Sequence, residues 1–253
     1  MQDGRMHAHA DSFKAGADGY DTHRPSYPHD SVAWLLDAVQ PGTGRRITVA
    51  DVGAGTGKLT GILAGLGATV SAIDPSADML RVLHERLPRV TTYQGAAENL
   101  PLPDSSVELV TFAQAWHWVD VDAASAEVLR VLKPGGRLGL IWNSRDESVS
   151  WVAELSRAMN PGLHAAGVFE PALGAGLALV DKRIDRWTQQ TTREGIVNLA
   201  TTRSYYLVAS PREQAEIRSR IVAVLDAHAE TREDPVRLPY LTEAWIAAPE
   251  SAE

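Results

Sequence analysis

The stretch Val49–Gly67, VADVGAGTGKLTGILAGLG, decides how this chain folds. It begins with small and apolar residues and continues with glycines at alternate positions, Gly53, Gly55 and Gly57. Apolar residues then recur at helical spacing, at Leu59, Ile62, Leu63 and Leu66. This order predicts a strand, a glycine turn and a helix. A glycine turn at this place lets a ligand approach the backbone closely, so the next question is which ligand it holds.

The alternation of strand and helix continues on both sides of this stretch. Apolar segments that are predicted to be strands lie at Ile47–Val52, Thr69–Ile73, Val90–Tyr93, Val107–Phe112 and Leu138–Trp142. Segments with helical spacing separate them, and the helix around Val128 is predicted to end at Pro134-Gly135-Gly136. Strands that alternate with helices in this way predict a parallel sheet with helices on both faces.

The pattern changes after Asn143. Two further strands are predicted at Leu179–Trp187 and Val236–Ile246, and residues 193–230 are predicted to form a helical cap inserted before the last strand. Residues 1–19 are predicted to be a flexible N-terminus. We expect residues 20–253 to form a single domain, with a lid and helix at 20–45 and a ligand-binding core at 46–145.

Composition excludes several classes of protein. The chain has 253 residues and no cysteine, so neither disulfides nor thiolate catalysis are available. Its formal net charge is −8 and its basic residues are scattered, so we expect no binding to nucleic acid. We see no histidine or acid spacing typical of a metal site. No apolar leader or membrane-length segment is seen, so we expect a cytoplasmic protein without a membrane partner.

The glycine turn and an acid after the next strand together indicate an adenosine ligand. In a doubly wound sheet, ligands bind outside the carboxyl ends of the strands. Asp74 ends the second strand, where a carboxylate can accept both ribose hydroxyls. The spacing excludes a dinucleotide fingerprint, because the third glycine would fall at Lys58 or at Thr60. It also excludes a P-loop, because no Gly-Lys-Ser/Thr follows at the required distance.

Four motifs in register resemble those of class I S-adenosylmethionine-dependent methyltransferases. They read DVGAGTGKLT, AIDPSADML, QGAAENLPLPDSSVELVTFAQAWHWVD and VLRVLKPGGRLGLIWN, and the resemblance covers roughly residues 20–145. The chain is most similar to the small-molecule branch that includes trans-aconitate and quinone-biosynthesis methyltransferases. The resemblance implies a Rossmann-like α/β fold with a seven-stranded, mainly parallel sheet and one antiparallel strand, the last. It also implies S-adenosylmethionine as cofactor, S-adenosylhomocysteine as product and a small-molecule methyl acceptor.

The resemblance also implies which residues touch the cofactor. Asp51, Gly53, Ala54, Gly55 and Gly57 match the loop around its methionine part, and Asp74 matches the ribose acid. Pro75, Met79, Ala97 and Glu98 match the segments around the adenine, and Gln114 matches the position near the methionine amino group. One departure concerns Ala96, where many relatives carry an acid that binds the adenine amino group. In this chain that contact falls to Glu98, to the backbone or to water.

The segment YDTHRPSYP, ahead of the first strand, resembles the lead-in of the same family. By that resemblance Tyr20, Arg24 and Tyr27 fold over the cofactor as a lid. Arg24 or Tyr27 is then expected near the cofactor carboxylate.

The segment AWHWVD follows the fourth strand and contains the candidate catalytic residue, His117. An imidazole titrates near neutral pH and could take a proton from the acceptor. Equally, His117 could bond a neighbouring loop while Trp116 and Trp118 pack. The segment Thr202–Ser210 is a further candidate for lining a substrate pocket, although aromatic pairs on helices are at least as often packing residues.

The sequence therefore predicts a methyltransferase that acts on an oxygen, nitrogen or carbon nucleophile. Two alternatives remain at this stage. One is an NAD(P)-dependent oxidoreductase, against which the glycine spacing speaks. The other is a protein that binds S-adenosylmethionine without catalysis, because an intact cofactor loop does not prove turnover. The oligomeric state stays undetermined.

Overall fold

The computed structural model describes residues 24–39, 46–160, 170–201 and 203–250. The chain divides into two compact units. Among the described residues, unit 1 comprises 24–25, 144–160, 186–201 and 203–241. Unit 2 comprises 26–39, 46–143, 170–185 and 242–250. The single domain expected for residues 20–253 stays a prediction.

Helices and strands alternate through the first part of the chain, as expected. In chain order they are α1 (His29–Asp37), β1 (Thr48–Val52), α2 (Lys58–Gly65), β2 (Thr69–Asp74), α3 (Ala77–Arg86), β3 (Thr91–Gln94), β4 (Val107–Ala113), α4 (Val121–Val131) and β5 (Leu132–Arg145). They continue with α5 (Ser150–Met159), β6 (Leu177–Thr191), α6 (Arg193–Thr201), α7 (Ser204–Leu207), α8 (Pro211–Ala227) and β7 (Val236–Pro249). Short 3₁₀ helices lie at Trp116–Trp118 and Ala229–Thr231.

The seven strands form one sheet in the order β3-β2-β1-β4-β5-β7-β6. The pairs β1 with β2, β1 with β4, β2 with β3, and β4 with β5 are parallel. The backbone amide of Glu250, just after β7, donates to the carbonyl of Gly176, just before β6. That bond joins the end of one strand to the start of the other, as in an antiparallel pair. The predicted mainly parallel, seven-stranded methyltransferase sheet is confirmed.

The core of unit 2 consists of two buried apolar clusters. Val52 and Phe112 belong to one cluster, whereas Val49 and Leu109 belong to the other. Successive side chains of a strand point to opposite faces, so one strand contributes to both clusters. This explains why β1 and β4 are buried along nearly their whole length rather than at alternate residues.

Unit 1 has an apolar core of its own. Its buried side chains come from α5, α6, α8 and β7, and include Trp151, Leu155, Ile196, Ile221 and Tyr240. Helix α8 begins with a capping box. The Ser210 hydroxyl accepts from the amide of Glu213, and the Glu213 carboxylate accepts from the amide of Ser210. In the described residues of the segment 193–230, helices α6, α7 and α8 all contribute to this core. The role of this segment as a cap stays a prediction.

One predicted boundary is wrong. Helix α4 ends at Val131, and Pro134-Gly135-Gly136 lies inside β5 rather than between a helix and a strand. The strand pairing explains this, because Leu132 already pairs with Val107, and the register then shifts before Leu109. Gly135 supplies the left-handed conformation at that irregularity, with φ +80°.

No helix in the described ranges is both long enough and apolar enough to cross a bilayer.

Candidate functional site

The carboxyl ends of three neighbouring strands meet at one edge of the unit 2 sheet. Val52 pairs with Ile73 of β2 and with Phe112 of β4, so the residues that follow these three lie side by side. Those residues include Gly53 and Asp74. The topology therefore brings the glycine turn and the acid of β2 together, as the sequence predicts.

All three glycines of the turn adopt positive φ, but they differ in how much space surrounds them. The values are +68° at Gly53, +55° at Gly55 and +87° at Gly57. A Cβ on Gly53 would lie 2.6 Å from Cβ of Ala115, and one on Gly57 would lie 2.8 Å from Cγ of Leu83. A Cβ on Gly55 would meet nothing within 4 Å. Gly53 and Gly57 are thus required by packing as well, whereas Gly55 faces open space.

Asp74 ties the glycine turn to the end of β2. Its Oδ2 accepts from the amide of Gly55 at 2.8 Å, and its Oδ1 accepts from the amide of Ser76 at 2.8 Å. The residue is 8% exposed. Burial raises the pKa of the Asp74 carboxyl, and the two amide donors oppose that rise. Each carboxylate oxygen can accept more than one hydrogen bond, so Asp74 keeps acceptor capacity for a ligand.

Asp51 is held by two hydroxyl groups from other elements of unit 2. Its side chain is fully buried, and it accepts from the hydroxyl of Thr60 at 2.5 Å and from that of Thr111 at 3.0 Å. Burial raises its pKa to about 6, against the opposing effect of the two hydroxyls. In this arrangement the carboxylate joins β1, α2 and β4 behind the glycine turn. Its predicted contact with the cofactor stays untested.

Gln114 follows β4 in a left-handed conformation that is rare for a residue with a side chain, with φ +57°. Its Nε2 donates to the carbonyl of Asn143 at 2.8 Å. Asn143 in turn donates to the carbonyl of Ser26 and accepts from the hydroxyl of Thr242. Strained backbone held by such a network is often found at functional sites, which fits the predicted ligand role of Gln114.

The residues predicted to surround the adenine lie after β2 and after β3. Met79 and Ala97 are buried, so both contribute to packing. The carbonyl of Pro75 accepts from Nε2 of Gln94 at 3.0 Å. Glu98 accepts from the amide of Asp120, the residue that caps α4. Ala54 bonds through its backbone amide to Ile73. The contacts predicted between these residues and the cofactor stay predictions.

His117 lies on the 3₁₀ turn after β4 and is an exposed residue. Nε1 of Trp142 donates to its Nδ1 over 3.4 Å, and the Trp118 ring lies 4.8 Å from its ring. Loss of hydration lowers the pKa of His117, which favours the neutral ring. An indole nitrogen can only donate, so Nδ1 is the acceptor and the proton of the neutral ring is on Nε2. The nitrogen that could take a proton is thus already engaged.

The three residues predicted to form a lid are Tyr20, Arg24 and Tyr27. Tyr20 lies outside the described residues. Arg24 belongs to unit 1, where it interacts electrostatically with Tyr240. Tyr27 belongs to unit 2 and is buried in the apolar cluster that contains Val32. The lid role of these residues stays a prediction.

Some residues with functional character were missed by sequence reasoning. Asn143 links Gln114 to its surroundings, and Arg145 ends β5 as a charged residue in a largely desolvated position. The sequence contained a pattern that could have identified both residues, because in IWNSR an apolar strand is followed directly by polar and charged residues. Across the described ranges, no group of three or more histidines and acids could hold a metal ion.

The comparisons with known proteins agree with this geometry. Residues 50–140 match the family described as "Methyltransferase domain". The chain is 40% identical over 236 residues to an uncharacterized methyltransferase of Mycobacterium tuberculosis, covering 91% of this chain and 93% of the relative. It is 32% identical over 254 residues to an uncharacterized methyltransferase-like protein of Schizosaccharomyces pombe, covering 96% and 97%.

A solved structure gives the same fold. A protein of Anaeromyxobacter dehalogenans whose structure is titled as that of a type II methyltransferase superposes with a TM-score of 0.68. The superposition covers 89% of this chain and 97% of that one, at 24% sequence identity. The YcgJ protein of Bacillus subtilis superposes with a TM-score of 0.51 over 89% of this chain and 100% of that one, at 20% identity.

Proposed function

This chain belongs to the class I S-adenosylmethionine-dependent methyltransferases, and we propose that unit 2 binds S-adenosylmethionine at the glycine turn. The methyl group of this cofactor is then transferred to a small molecule. The observation that carries the proposal is the pairing of Gly55 with Asp74. Gly55 leaves space that any side chain would fill, and its amide is held by a carboxylate with acceptor capacity left over. A cofactor with a ribose and a methionine chain fits such a cradle.

The chain's own part in the reaction is to bind and to orient. S-adenosylmethionine supplies a methyl group that its sulfonium has already activated. Asp74 would accept hydrogen bonds from the ribose, and the turn from Gly53 to Gly57 would let the backbone approach the ligand. Asp51 would hold the turn in place from behind, through Thr60 and Thr111. Alignment and exclusion of water are then the main sources of rate, so neither a triad nor a metal is required.

Gly55→Ala and Gly57→Ala form a matched test of the cradle. Both place an L residue at positive φ, which costs about 1–2 kcal/mol. Only the Gly57 variant also drives a Cβ into Leu83, so it should lose more stability. The Gly55 variant should instead lose at least tenfold in affinity for S-adenosylhomocysteine, because its methyl group occupies the ligand's space.

Calorimetry of ligand binding and thermal unfolding of both variants measure the two effects. A folded Gly55→Ala variant that binds S-adenosylhomocysteine as tightly as the wild type would show that the ligand does not approach this glycine.

His117→Gln is expected to lower turnover by less than tenfold. The reason is that Nδ1 already accepts from Trp142, which leaves no free lone pair on the neutral ring for a proton of the acceptor. His84→Gln, an exposed histidine of α3, serves as the control. Loss of a working general base would cost ~10²–10⁴-fold. A loss of that size with cofactor affinity intact would therefore establish His117 as the base.

The sequence left two alternatives, an NAD(P)-dependent oxidoreductase and a protein that binds S-adenosylmethionine without catalysis. Because the chain belongs to the methyltransferase family, the oxidoreductase is no longer favoured. Binding without catalysis is separated from turnover by one experiment, in which the protein and S-adenosylmethionine with a labelled methyl group are added to a cell extract. The label should enter the small-molecule fraction. Label only in macromolecules would contradict the proposed acceptor class, and no transfer at all would contradict the proposed enzyme.

A further inference from the structure

Unit 1 buries a phenol hydroxyl for which the described residues offer no hydrogen-bond partner. Tyr240 lies on β7 with 2% of its surface exposed, and its Oη makes no hydrogen bond in the described part of the chain. The ring of Trp187 stacks against it at 5.4 Å and holds it in place. A buried hydroxyl without a partner is costly, and such groups are rare in native structures. The hydroxyl of Tyr240 is therefore a donor that is available to a ligand.

Two arginines, Arg145 and Arg203, interact electrostatically with each other and with Tyr240. Arg145 is the last residue of β5, and its Nε donates to the hydroxyl of Ser156 at 2.8 Å. Burial lowers the pKa of Arg145, and the positive charge of Arg203 lowers it further. The phenols of Tyr240 and Tyr205 act in the opposite direction on Arg145. Arg145 is therefore a desolvated cation that is repelled by a second cation, which is unfavourable unless an anion joins them.

The described acids do not supply that anion. No carboxylate of the described ranges lies within the 4.0 Å ion-pair distance of Arg145 or Arg203. Asp146, the neighbour of Arg145 in sequence, pairs with Arg186 at 3.6 Å and accepts from Ser148. Glu147 has only the weakest of the effects that act on the pKa of Arg145.

We propose that Arg145, Arg203, Tyr205 and Tyr240 form a binding site in unit 1 for an oxyanion, a carboxylate or phosphate group of a small molecule. Guanidinium groups bind both kinds of oxyanion through paired hydrogen bonds, and a phenol hydroxyl can donate a further one. The anion would accept a hydrogen bond from the hydroxyl of Tyr240 and relieve the repulsion between the arginines. The site follows from unit 1 alone and goes beyond the proposed function.

Calorimetric titration of the full chain tests the site with succinate and with inorganic phosphate, at constant ionic strength. Succinamide, which has the shape of succinate without its charge, is the control ligand. Saturable binding of succinate or phosphate, with none of succinamide, is expected, and the two arms identify the oxyanion. No saturable binding of either anion would overturn the site.

Three variants separate a binding role from a structural one. Arg203→Gln should weaken anion binding at least tenfold, and Arg237→Gln, an exposed arginine on the same strand as Tyr240, should leave it unchanged. Tyr240→Phe removes only the unpartnered hydroxyl, so it should weaken anion binding several-fold without lowering the melting temperature. Wild-type affinity in both Arg203→Gln and Tyr240→Phe would overturn the site, even if replacing the more deeply placed Arg145 unfolds the protein.

Titration of the same protein with S-adenosylhomocysteine separates this inference from the proposed function. Binding of S-adenosylhomocysteine but of neither anion would overturn the oxyanion site alone. Binding of an anion without S-adenosylhomocysteine would support the oxyanion site and overturn the proposed function alone.

Discussion

Replacing Asp74 by asparagine is expected to weaken the binding of S-adenosylhomocysteine by about ten- to a hundredfold. The carboxylate holds the amides of Gly55 and Ser76, and we assign it the ribose hydroxyls as well. An asparagine of the same shape carries no charge, and its amide group would face one of the backbone donors. Loss of a charge-assisted hydrogen bond costs about 1.5–3 kcal/mol, and 1.4 kcal/mol corresponds to a factor of ten.

The control for this variant is Asp78→Asn. Asp78 is an exposed acid in the first turn of α3, four residues further along the chain, so the two variants change the net charge equally. Calorimetry should show wild-type affinity for the Asp78 variant. Equal affinities of the wild type and a folded Asp74→Asn variant would remove Asp74 from the site.

Replacing Asp51 by asparagine is expected to change the pH dependence of stability. Burial raises the folded-state pKa of Asp51 from 3.8 to about 6. Between these two values the native protein keeps a proton that the unfolded chain has lost, so ionisation of Asp51 lowers the free energy of unfolding as the pH rises. A difference of about two pKa units corresponds to about 3 kcal/mol. Asparagine has no such ionisation.

The measurement is the free energy of unfolding of wild type and Asp51→Asn in urea at pH 4 and pH 7. Relative to the wild type, the variant should be more stable at pH 7 than at pH 4, by up to about 3 kcal/mol. Asp78→Asn, in an exposed position, should show no such trend. A difference between Asp51→Asn and the wild type that does not vary with pH would contradict the assignment of a buried carboxyl with a raised pKa.

The sequence was sufficient for the sheet and for its glycine turn, because both depend on local patterns. Apolar runs that end in Asp51 and Asp74 predict buried parallel strands, and glycines at alternate positions predict the turn. The boundary near Pro134 was wrong because strand pairing between Leu132 and Val107 overrides the usual effect of Pro-Gly-Gly.

The chemistry of single side chains was less predictable, because it depends on residues far apart in sequence. Asp51 is held by Thr60 and Thr111, and nothing in the motif shows that both hydroxyls reach its carboxylate. Burial of Tyr27 depends in the same way on a cluster formed from several elements. Arg145 and Arg203 lie outside the family motifs, so only the three-dimensional structure relates them to each other.

The central claim is that unit 2 is a cofactor site for S-adenosylmethionine. Calorimetric titration of the wild-type protein with S-adenosylhomocysteine tests it most directly, with NAD titrated in parallel as the competing adenosine ligand. We expect saturable binding of S-adenosylhomocysteine at one site per chain, in the micromolar range, and no saturable binding of NAD. Saturable binding of NAD without any binding of S-adenosylhomocysteine would contradict the proposed cofactor site.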